Sequence, residues 1–335
     1  MTVEEIENAC KAGRSPVPSR HEVEAPELSL RATFYPMGFP TEVRTNSAEI
    51  LKQCEQRWGV FTKAFDTEPI QVDFHVVESA SMECPPVPTF RVMKPVIVAV
   101  ANADNYMVYD VERNRTQVMI SRAAEKHKQY LQYFFLDAMA SVQIGARYAK
   151  VIHAGCVALE GRGILLCGDS GAGKSTLSYA CARKGWTYVS DDATLLLNDG
   201  TKRMVTGNCH QVRFRPTAAV LFHEIKGLNI TPRAVGKPSV EMRTAKIPKM
   251  ICAQTTRVDF IVFLNRRVGG LPQLLPYQKD VARCYMREEL HLSEQILANH
   301  DRAIEELLTV EVFELRYSDL DWAIQRLQRL VREGR

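Results

Sequence analysis

The sequence has no segment typical of a membrane protein or of an oxidising compartment. Its N-terminal stretch has no apolar signal core, and no hydrophobic run approaches the length of a membrane span. The nine cysteines form no C-x-x-C pair, and several of them lie in apolar runs, as reduced and buried thiols do. We therefore expect a cytoplasmic protein with no membrane partner, no disulfide framework and no zinc site.

A strong excess of charge of one sign is also absent. The net charge is +4 and is spread along 335 residues, so it predicts no nucleic-acid partner. Hydrophobic residues make up 46% of the chain and charged residues 24%, as in ordinary globular proteins. The length allows either a pair of domains or a single domain with a substantial addition. The sequence leaves a homo-oligomer open.

One stretch carries a complete phosphate-binding motif, G-x-x-x-x-G-K-[ST], from Gly168 to Ser175. A strand-like run, Ile164 to Cys167, precedes the motif, and a helical pattern from Thr176 to Arg183 follows it, which is the context that the motif requires. Glycines let the backbone N–H groups turn toward phosphate oxygens, and the positive end of the helix faces the same anion. We predict that ATP binds here with Mg²⁺. The predicted nucleotide-binding residues are Gly168, Asp169, Ser170, Gly171, Ala172, Gly173, Lys174, Ser175 and Thr176.

Charged and hydroxyl side chains in and after the motif have the chemistry of phosphoryl transfer. Lys174 is expected to reach the β- and γ-phosphates, and the Ser175 hydroxyl to ligate Mg²⁺. Asp191 and Asp192 follow a predicted strand, Trp186 to Val189, and the carboxyl ends of parallel strands meet at the same edge of a sheet. Two carboxylates beside a γ-phosphate would repel it unless Mg²⁺ or a shared proton intervened. We assign one to metal or water and the other to the general base, although a paired Asp also begins turns.

Two further residues have both a structural and a functional interpretation. His153 lies in the apolar run VIHAGCVAL, which we predict as one strand from Val151 to Leu159. A single histidine in such a run is more often a satisfied core residue than a ligand. Glu224, in HEIKGLNI, follows a predicted short helix, and its structural interpretation is an ordinary solvated surface residue. From the residues alone, neither is assigned to the site.

Signatures of several other nucleotide-binding classes are missing. The sequence has no LSGG-type motif of a transporter ATPase and no N-K-x-D motif of a small GTPase. The late apolar strand VDFIVFLN ends in Asn265, so it offers no Walker B carboxylate. The Asp pair that follows Lys174 closely in sequence is therefore the candidate acidic partner.

The remaining patterns predict an N-terminal α+β unit before the nucleotide-binding half. Asn46 and Glu49 form a capping signature for a helix that presents Ile50, Cys54 and Trp58 on one face. A long helix, about Ala123 to Tyr148, has a wide apolar face and is predicted to join the halves. The predicted divisions are a lead-in segment (1–27), an α+β domain of unknown role (28–122), a connecting helix (123–149) and an ATP-binding catalytic domain (150–335).

Four motifs in the second half occur in the order and with the spacing of a known family. They are His153 in H-A-G-x-V, the loop GDSGAGKS, the segment RKGWTYVSDD, which is similar to R-G-H-R-L-V-A-D-D, and EIKGLNI, which is similar to E-I-R-G-L-G-I. This region, about residues 150 to 265, resembles the catalytic domain of the HPr kinase/phosphorylase family. The resemblance implies an α/β, P-loop kinase fold shared with phosphoenolpyruvate carboxykinases, with a mixed sheet and the loop at one edge.

The resemblance also implies roles for individual residues. Lys174 and its loop would bind the nucleotide, and Ser175 and Glu224 would ligate Mg²⁺. Asp192 would take the proton from a substrate serine hydroxyl, and His153 would be an active-site residue near the phosphate. The sequence departs from the family pattern at Lys226 and Asn229, and the later R-P-G-R-N segment is not evident. The resemblance therefore does not extend to phosphorolysis or to HPr as the substrate.

The leading prediction is an ATP- and Mg²⁺-dependent, serine-kinase-like phosphotransferase. Its acceptor is a hydroxyl of a protein, a peptide or a small molecule. The alternative is an ATP-responsive regulatory protein with little or no turnover, in which ATP orders the segment from Gly227 to Lys249. A plain ATP hydrolase is the third interpretation.

Overall fold

Two large β-sheets form the framework of the molecule. The computed structural model describes residues 3–12, 26–200, 202–230, 238–267, 269–287 and 293–334. In these residues a seven-stranded sheet occupies the N-terminal half, a ten-stranded sheet occupies the C-terminal half, and a separate two-stranded hairpin lies beside the latter. No helix in the described ranges combines the length and apolar character needed to cross a bilayer.

The N-terminal sheet has the strand order β1-β2-β3-β7-β6-β5-β4. Its strands are β1 (Leu30–Phe34), β2 (Thr41–Thr45), β3 (Ile70–Val77), β4 (Thr89–Met93), β5 (Val96–Asn102), β6 (Asn105–Asp110) and β7 (Arg115–Ser121). A short helix precedes the sheet, α1 (Val3–Lys11), and α2 (Ala48–Trp58) crosses it between β2 and β3. The predicted apolar residues Ile50, Cys54 and Trp58 of α2 are buried against the sheet. The prediction of this amphipathic helix is confirmed.

The predicted capping role of Asn46 is wrong. Ser47 occupies the N-cap position of α2, and its side chain makes no capping hydrogen bond. Asn46 instead donates from Nδ2 to the carbonyl of Val76 at 2.8 Å and accepts at Oδ1 from the Val76 N–H at 2.8 Å. The Asn46 side-chain amide therefore pairs with the backbone of β3. There both its donor and its acceptor form hydrogen bonds, whereas the N–H groups at a helix start would use only its acceptor.

The helical join between the two sheets is interrupted where one helix was predicted. It consists of α3 (Arg122–Lys126), α4 (Lys128–Tyr130), a π-helical segment (Leu131–Asp137) and α5 (Ala138–Arg147). The break between α3 and α4 falls at His127, whose ψ of 74° is not helical. The predicted apolar face is buried, because residues such as Phe134, Phe135 and Met139 complete the core under the N-terminal sheet.

The C-terminal sheet is mixed. Its main path is β16-β11-β9-β10-β17-β13-β12-β8, with β19 added beside β17 and β18 beside β19. The strands are β8 (Ala149–Ile152), β9 (Gly155–Leu159), β10 (Arg162–Cys167), β11 (Thr187–Ser190), β12 (Thr194–Leu197), β13 (Met204–Gly207), β16 (Ile251–Cys252), β17 (Thr255–Arg266), β18 (Gln273–Pro276) and β19 (Glu311–Tyr317). The hairpin consists of β14 (Gln211–Phe214) and β15 (Val240–Arg243).

Helices cover both faces of the C-terminal sheet, as in an α/β protein. They are α6 (Lys174–Arg183), α7 (Lys279–Met286), α8 (Glu294–Leu307) and α9 (Leu320–Glu333). Residues of α6 and α9 share one hydrophobic core with β10 and β17, whereas α7 and α8 contribute to the core on the other face. The predicted α/β class agrees with this arrangement.

The predicted single strand from Val151 to Leu159 is wrong. The chain leaves β8 at Ile152 and re-enters the sheet at Gly155, and the two strands occupy separate places in it. β8 pairs with β12 at one end, whereas β9 lies between β11 and β10. His153 and Ala154 form the crossing between them, so His153 does not lie inside a strand.

The two halves share hydrophobic core. Leu195 and Leu197 of β12 pack in the same buried cluster as the residues of the N-terminal sheet and of the helical join. The boundary near residue 150 stays a prediction, and the described structure shows extensive contact across it.

Candidate active site

The predicted phosphate loop connects β10 to α6. Gly168, Gly171 and Gly173 have φ angles of 136°, 100° and 103°, which are strained for any residue with a Cβ. At Gly173 a Cβ would also lie 2.7 Å from the hydroxyl oxygen of Tyr317, so the space itself excludes a side chain. The glycine pattern thus creates a tight turn whose residues Asp169 and Ser170 are exposed.

Lys174 is buried at the first position of α6. Its Nζ donates to the carbonyl oxygens of Gly168 at 2.6 Å and Asp169 at 3.2 Å, and it lies 3.0 Å from Nε2 of His153. Burial lowers the pKa of the Lys174 ammonium, and the negative charge of Asp192 opposes that effect. The ammonium is therefore held by weak neutral acceptors, which phosphate oxygens could replace.

His153 lies between Lys174 and Asp192. Its Nδ1 is 3.4 Å from Oδ1 of Asp192, and its side chain is 43% exposed, so it is not a core histidine. An ammonium can only donate, so Nε2 must accept from Lys174, and a neutral imidazole then carries its proton on Nδ1, facing the carboxylate. The three side chains form one polar row.

The two aspartates of the pair have different surroundings. Asp191 is buried, and its Oδ2 accepts a hydrogen bond of 2.8 Å from the N–H of Arg213. Burial raises the pKa of the Asp191 carboxyl to about 6. Asp192 has a half-exposed side chain that faces the loop. Of the two, Asp192 is therefore the carboxylate that can meet a ligand bound over the loop.

Sheet topology explains how these groups meet. β11 and β10 are both antiparallel to β9, which lies between them, so both end at the edge where β9 begins. The loop follows β10, the Asp pair follows β11, and His153 precedes β9. One edge of the sheet therefore collects all three segments, with the histidine in the middle. The predicted meeting of the loop and the Asp pair at one edge is confirmed, although the strands are not neighbours.

A cleft of about 710 Å³ opens over the loop. Among the residues that the structure describes, Lys174, Arg213, Arg215 and Arg266 line it together with a single acidic residue, Asp192. This excess of cations suits a polyanion such as a triphosphate. We call this space the nucleotide cleft.

The arginines of this cleft were not among the predicted site residues. Arg215 donates from Nη2 to Oγ of Ser170 at 2.8 Å, which attaches an exposed cation to the loop. Arg266 ends β17, the parallel neighbour of β10. Arg266 could have been found from its position at the end of a predicted strand. No sequence pattern pointed to Arg215, because its position depends on the pairing of β14 with β15.

Two tyrosines from the C-terminal part of the chain support the loop and were also missed. The hydroxyl of Tyr285, on α7, donates toward the carbonyls of His153 at 2.7 Å and Gly168 at 2.9 Å, and it accepts from the Gly168 N–H at 3.2 Å. The hydroxyl of Tyr317 donates to the carbonyl of Ala172 at 3.3 Å. Tyr285 thus joins the segment of His153 to the start of the loop.

Glu224 lies elsewhere. Its carboxylate accepts a hydrogen bond of 2.8 Å from the hydroxyl of Tyr179 and pairs with Arg183 at 3.2 Å, both in the later turns of α6. His223 Nδ1 lies 3.3 Å from its second oxygen. Glu224 is not among the residues that line the nucleotide cleft. The structure therefore does not bring it to Ser175, and its predicted role as a metal ligand stays a prediction.

The described residues contain no group of three or more His, Cys, Asp or Glu side chains arranged to hold a metal ion. Mg²⁺ does not require one, because it keeps several waters and takes phosphate oxygens together with one or two protein ligands. The Ser175 hydroxyl lines the cleft at the start of α6 and otherwise makes only a long contact, 3.4 Å, to the carbonyl of Asp191. The residues present fit a Mg²⁺ ion that arrives with a nucleotide.

Comparison with known proteins agrees with the motifs. The chain is 31% identical over 106 residues to the HPr kinase/phosphorylase of Mycoplasmopsis pulmonis (strain UAB CTIP). The predicted resemblance is confirmed. The match covers 28% of this chain and 34% of the relative, so it spans about a third of the length of that HPr kinase/phosphorylase.

A second comparison names the same class of protein. The Hpr(Ser) kinase/phosphatase of Coxiella burnetii matches at 15% sequence identity with a TM-score of 0.31, over 55% of this chain and 99% of that one. No family model matches the chain. The likeness of the chain to HPr kinase/phosphorylase therefore rests on the sequence match and on the four motifs.

Proposed function

We propose that the protein transfers the γ-phosphoryl group of ATP to a hydroxyl acceptor, as an HPr-kinase-like phosphotransferase. The observation that carries the proposal is the row Lys174, His153 and Asp192 at the edge of a cleft rich in cations. This row combines a charge for the phosphoryl oxygens with a half-exposed carboxylate for the hydroxyl proton. The similarity to HPr kinase/phosphorylase supports the same class of reaction.

The roles follow from the contacts. Lys174 exchanges the carbonyls of Gly168 and Asp169 for phosphate oxygens and offsets their negative charge. Asp192 accepts the proton of the attacking hydroxyl. His153 places its Nδ1 3.4 Å from Oδ1 of Asp192 and thereby helps to orient that carboxylate. Ser175 would hold Mg²⁺ together with phosphate oxygens and water, and the ion would offset the charge that develops on the transferring group.

Arg215 and Arg266 supply further positive charge around the triphosphate, whereas Arg213 is paired with Glu241. Because phosphoryl transfer depends mostly on positioning and electrostatics, these arginines contribute to rate as well as to binding. Tyr285 acts at a distance from the reacting atoms: it fixes the backbone of His153 relative to Gly168.

The decisive experiment compares the wild-type protein with Asp192→Asn. Labelled ATP is supplied with a cell lysate, and labelled products are counted. We expect transfer to fall about 10²- to 10⁴-fold in the variant, the range for loss of a general base. ATP affinity, measured with a fluorescent analogue, should be retained because the loop is intact.

The control is Asp66→Asn, which removes an exposed carboxylate paired with Lys63 in the N-terminal half. Its transfer rate should equal that of the wild-type protein. Full transfer by Asp192→Asn would refute the assignment of the base. Release of phosphate without any labelled product would indicate an ATP hydrolase, and ATP-dependent partner binding without turnover would indicate a regulatory protein.

A further inference from the structure

A second cavity adjoins the nucleotide cleft. It has a volume of about 140 Å³, and Asp192 and Arg213 line both this cavity and the cleft. Asp191 lines only the smaller space. A molecule in the cavity would therefore meet the proposed base from the side that the nucleotide does not occupy. We call this space the junction cavity.

Both halves of the molecule build the junction cavity. Met37, Trp58 and Ser141 come from the N-terminal sheet and the helical join, whereas Leu195 and Gln211 come from the C-terminal half. None of these residues belongs to the four motifs of the resemblance. The cavity is thus a feature of this chain, formed where the N-terminal half covers the sheet edge.

Backbone contacts fix the wall that the N-terminal half contributes. Met37 has a φ of 52°, a left-handed conformation that is strained for a residue with a Cβ, so its surroundings must hold it. Its carbonyl accepts from Oγ1 of Thr206 at 3.0 Å. Nearby, the amide of Gln254 binds both the carbonyl and the N–H of Thr62, at 2.8 and 3.2 Å.

Each of the two arginines that line the cavity is paired with a carboxylate. Arg57 Nε donates to Asp137 at 2.7 Å, and Nη1 donates to Oε1 of Gln211 at 3.2 Å. Arg213 pairs with Glu241 at 3.0 Å. Both cations are therefore already neutralised, whereas Asp191 and Asp192 add negative charge. This arrangement disfavours an anionic occupant.

The size of the cavity limits the acceptor. A cavity of about 150 Å³ in another protein holds benzene, so 140 Å³ admits a molecule of about six to eight non-hydrogen atoms. Its apolar lining, including Trp58, Met37 and Leu195, covers the carbon part of such a molecule. The cavity is partly open to solvent, so a serine of a protein could enter it only if that serine projected from a narrow, exposed segment.

We propose that the junction cavity is the acceptor site and that the acceptor is a small alcohol without negative charge, rather than a protein. This inference rests on the proposed phosphotransferase function. In the reaction the acceptor oxygen forms a bond to the γ-phosphorus, and the bond from that phosphorus to the β,γ-bridging oxygen breaks. The hydroxyl proton passes to Asp192, and ADP leaves with the bridging oxygen.

The test fills the cavity without touching the nucleotide cleft. Ser141→Leu extends an apolar side chain into the space, and Ala138→Leu adds the same side chain on the same helix at a position that does not line it. Both variants and the wild-type protein receive labelled ATP with glycerol or ethanolamine as probes, with glycerate as an anionic comparison, and with the dialysable and the retained fractions of a lysate. ATP affinity is measured in parallel with a fluorescent analogue.

We expect label in dialysable small alcohols, including at least one of the two probes. Ser141→Leu should reduce that transfer by on the order of 100-fold, because a displaced acceptor loses its alignment. Ala138→Leu should transfer like the wild-type protein, and ATP affinity should be equal in all three proteins.

Other outcomes separate this inference from the proposed function. Label in retained proteins that is unaffected by Ser141→Leu would leave the phosphotransferase in place and overturn the small-alcohol acceptor. Transfer to small molecules that Ser141→Leu does not reduce would show that the junction cavity is not the acceptor site. Preferential transfer to glycerate would show that the acceptor need not lack negative charge. No labelled product from the wild-type protein in any fraction would remove the proposed function itself.

Discussion

The nucleotide cleft and the junction cavity meet at Asp192 but differ in origin, size and charge. The cleft holds about 710 Å³, and its most distinctive wall is a single continuous loop. The cavity holds about 140 Å³, and its walls come from segments between residues 36 and 213. Cations dominate the cleft, whereas in the cavity the arginines are paired and carboxylates are in excess.

The difference shows how one site can separate two kinds of specificity. In the proposed function, the cleft would recognise a polyanion through backbone N–H groups, Lys174 and arginines, which would act on any triphosphate. The cavity would select the acceptor by shape and by the absence of spare positive charge. We therefore expect changes in the cleft to affect all substrates and changes in the cavity to affect only the acceptor or the stability of the junction.

After Asp192→Asn, the largest effect is expected for Lys174→Met. Loss of this charge should lower kcat/KM for phosphoryl transfer by about 10²- to 10³-fold, comparable to removal of a donor that stabilises a transition state. Steady-state kinetics with labelled ATP would measure it. Lys184→Met, at the end of the same helix and paired with Asp321 on the surface, is the control and should behave like the wild-type protein.

Asp191→Asn should change the pH dependence of stability. Burial raises the pKa of the native Asp191 carboxyl to about 6 from 3.8, so the native state binds its proton more tightly than the unfolded state does. Its contribution therefore falls as pH rises between about 4 and 6, by on the order of 3 kcal/mol. Asparagine can still accept from the Arg213 N–H.

Denaturant unfolding of both proteins across this pH window would test that expectation. The variant should gain stability relative to the wild-type protein as pH rises, and the difference should be constant above about pH 7. A difference in free energy of unfolding that does not vary with pH would mean that the native pKa of Asp191 is not raised.

Arg57→Met should weaken the junction between the halves. The change leaves Asp137 without its partner in a site where both side chains are only 20% and 27% exposed. We expect a loss of about 2 kcal/mol in free energy of unfolding, between the values for surface and buried pairs. Lys52→Met breaks an exposed pair with Glu49 on the same helix and should cost less than about 0.5 kcal/mol.

A double-mutant cycle with Asp137→Asn would isolate the pair energy from the packing of the Arg57 side chain. A coupling energy near zero would show that the ion pair does not stabilise the junction, whatever the single variants do.

Tyr285→Phe should have the smallest effect. It removes the hydroxyl that joins the His153 carbonyl to Gly168, at a cost of about 1 kcal/mol. Because His153 is then less well placed beside Asp192, transfer should fall several-fold while ATP affinity is retained. Tyr277→Phe, which keeps the stacking on Phe263, is the matched control. Equal rates of phosphoryl transfer in the two variants would show that Tyr285 has no positioning role.

Local patterns predicted the elements better than their connections. The loop, α6 and the buried face of the helical join follow from glycine spacing and helical periodicity. The break at His153 could not be predicted in this way, because an apolar run has the same pattern whether it forms one strand or two strands at different places in the sheet. Asn46 failed as a cap because its amide found a β3 backbone partner that is distant in sequence.

The sequence by itself determined the phosphate loop, because its glycines, Lys174 and the following helix are contiguous and their geometry is local. It also determined the likeness to HPr kinase/phosphorylase, which four short motifs carry. Only the tertiary structure decided that His153 lies between Lys174 and Asp192, that Glu224 lies outside the cleft, and that a small cavity adjoins the base. Those facts depend on strand order and on the docking of the N-terminal half, which are long-range contacts that no local pattern encodes.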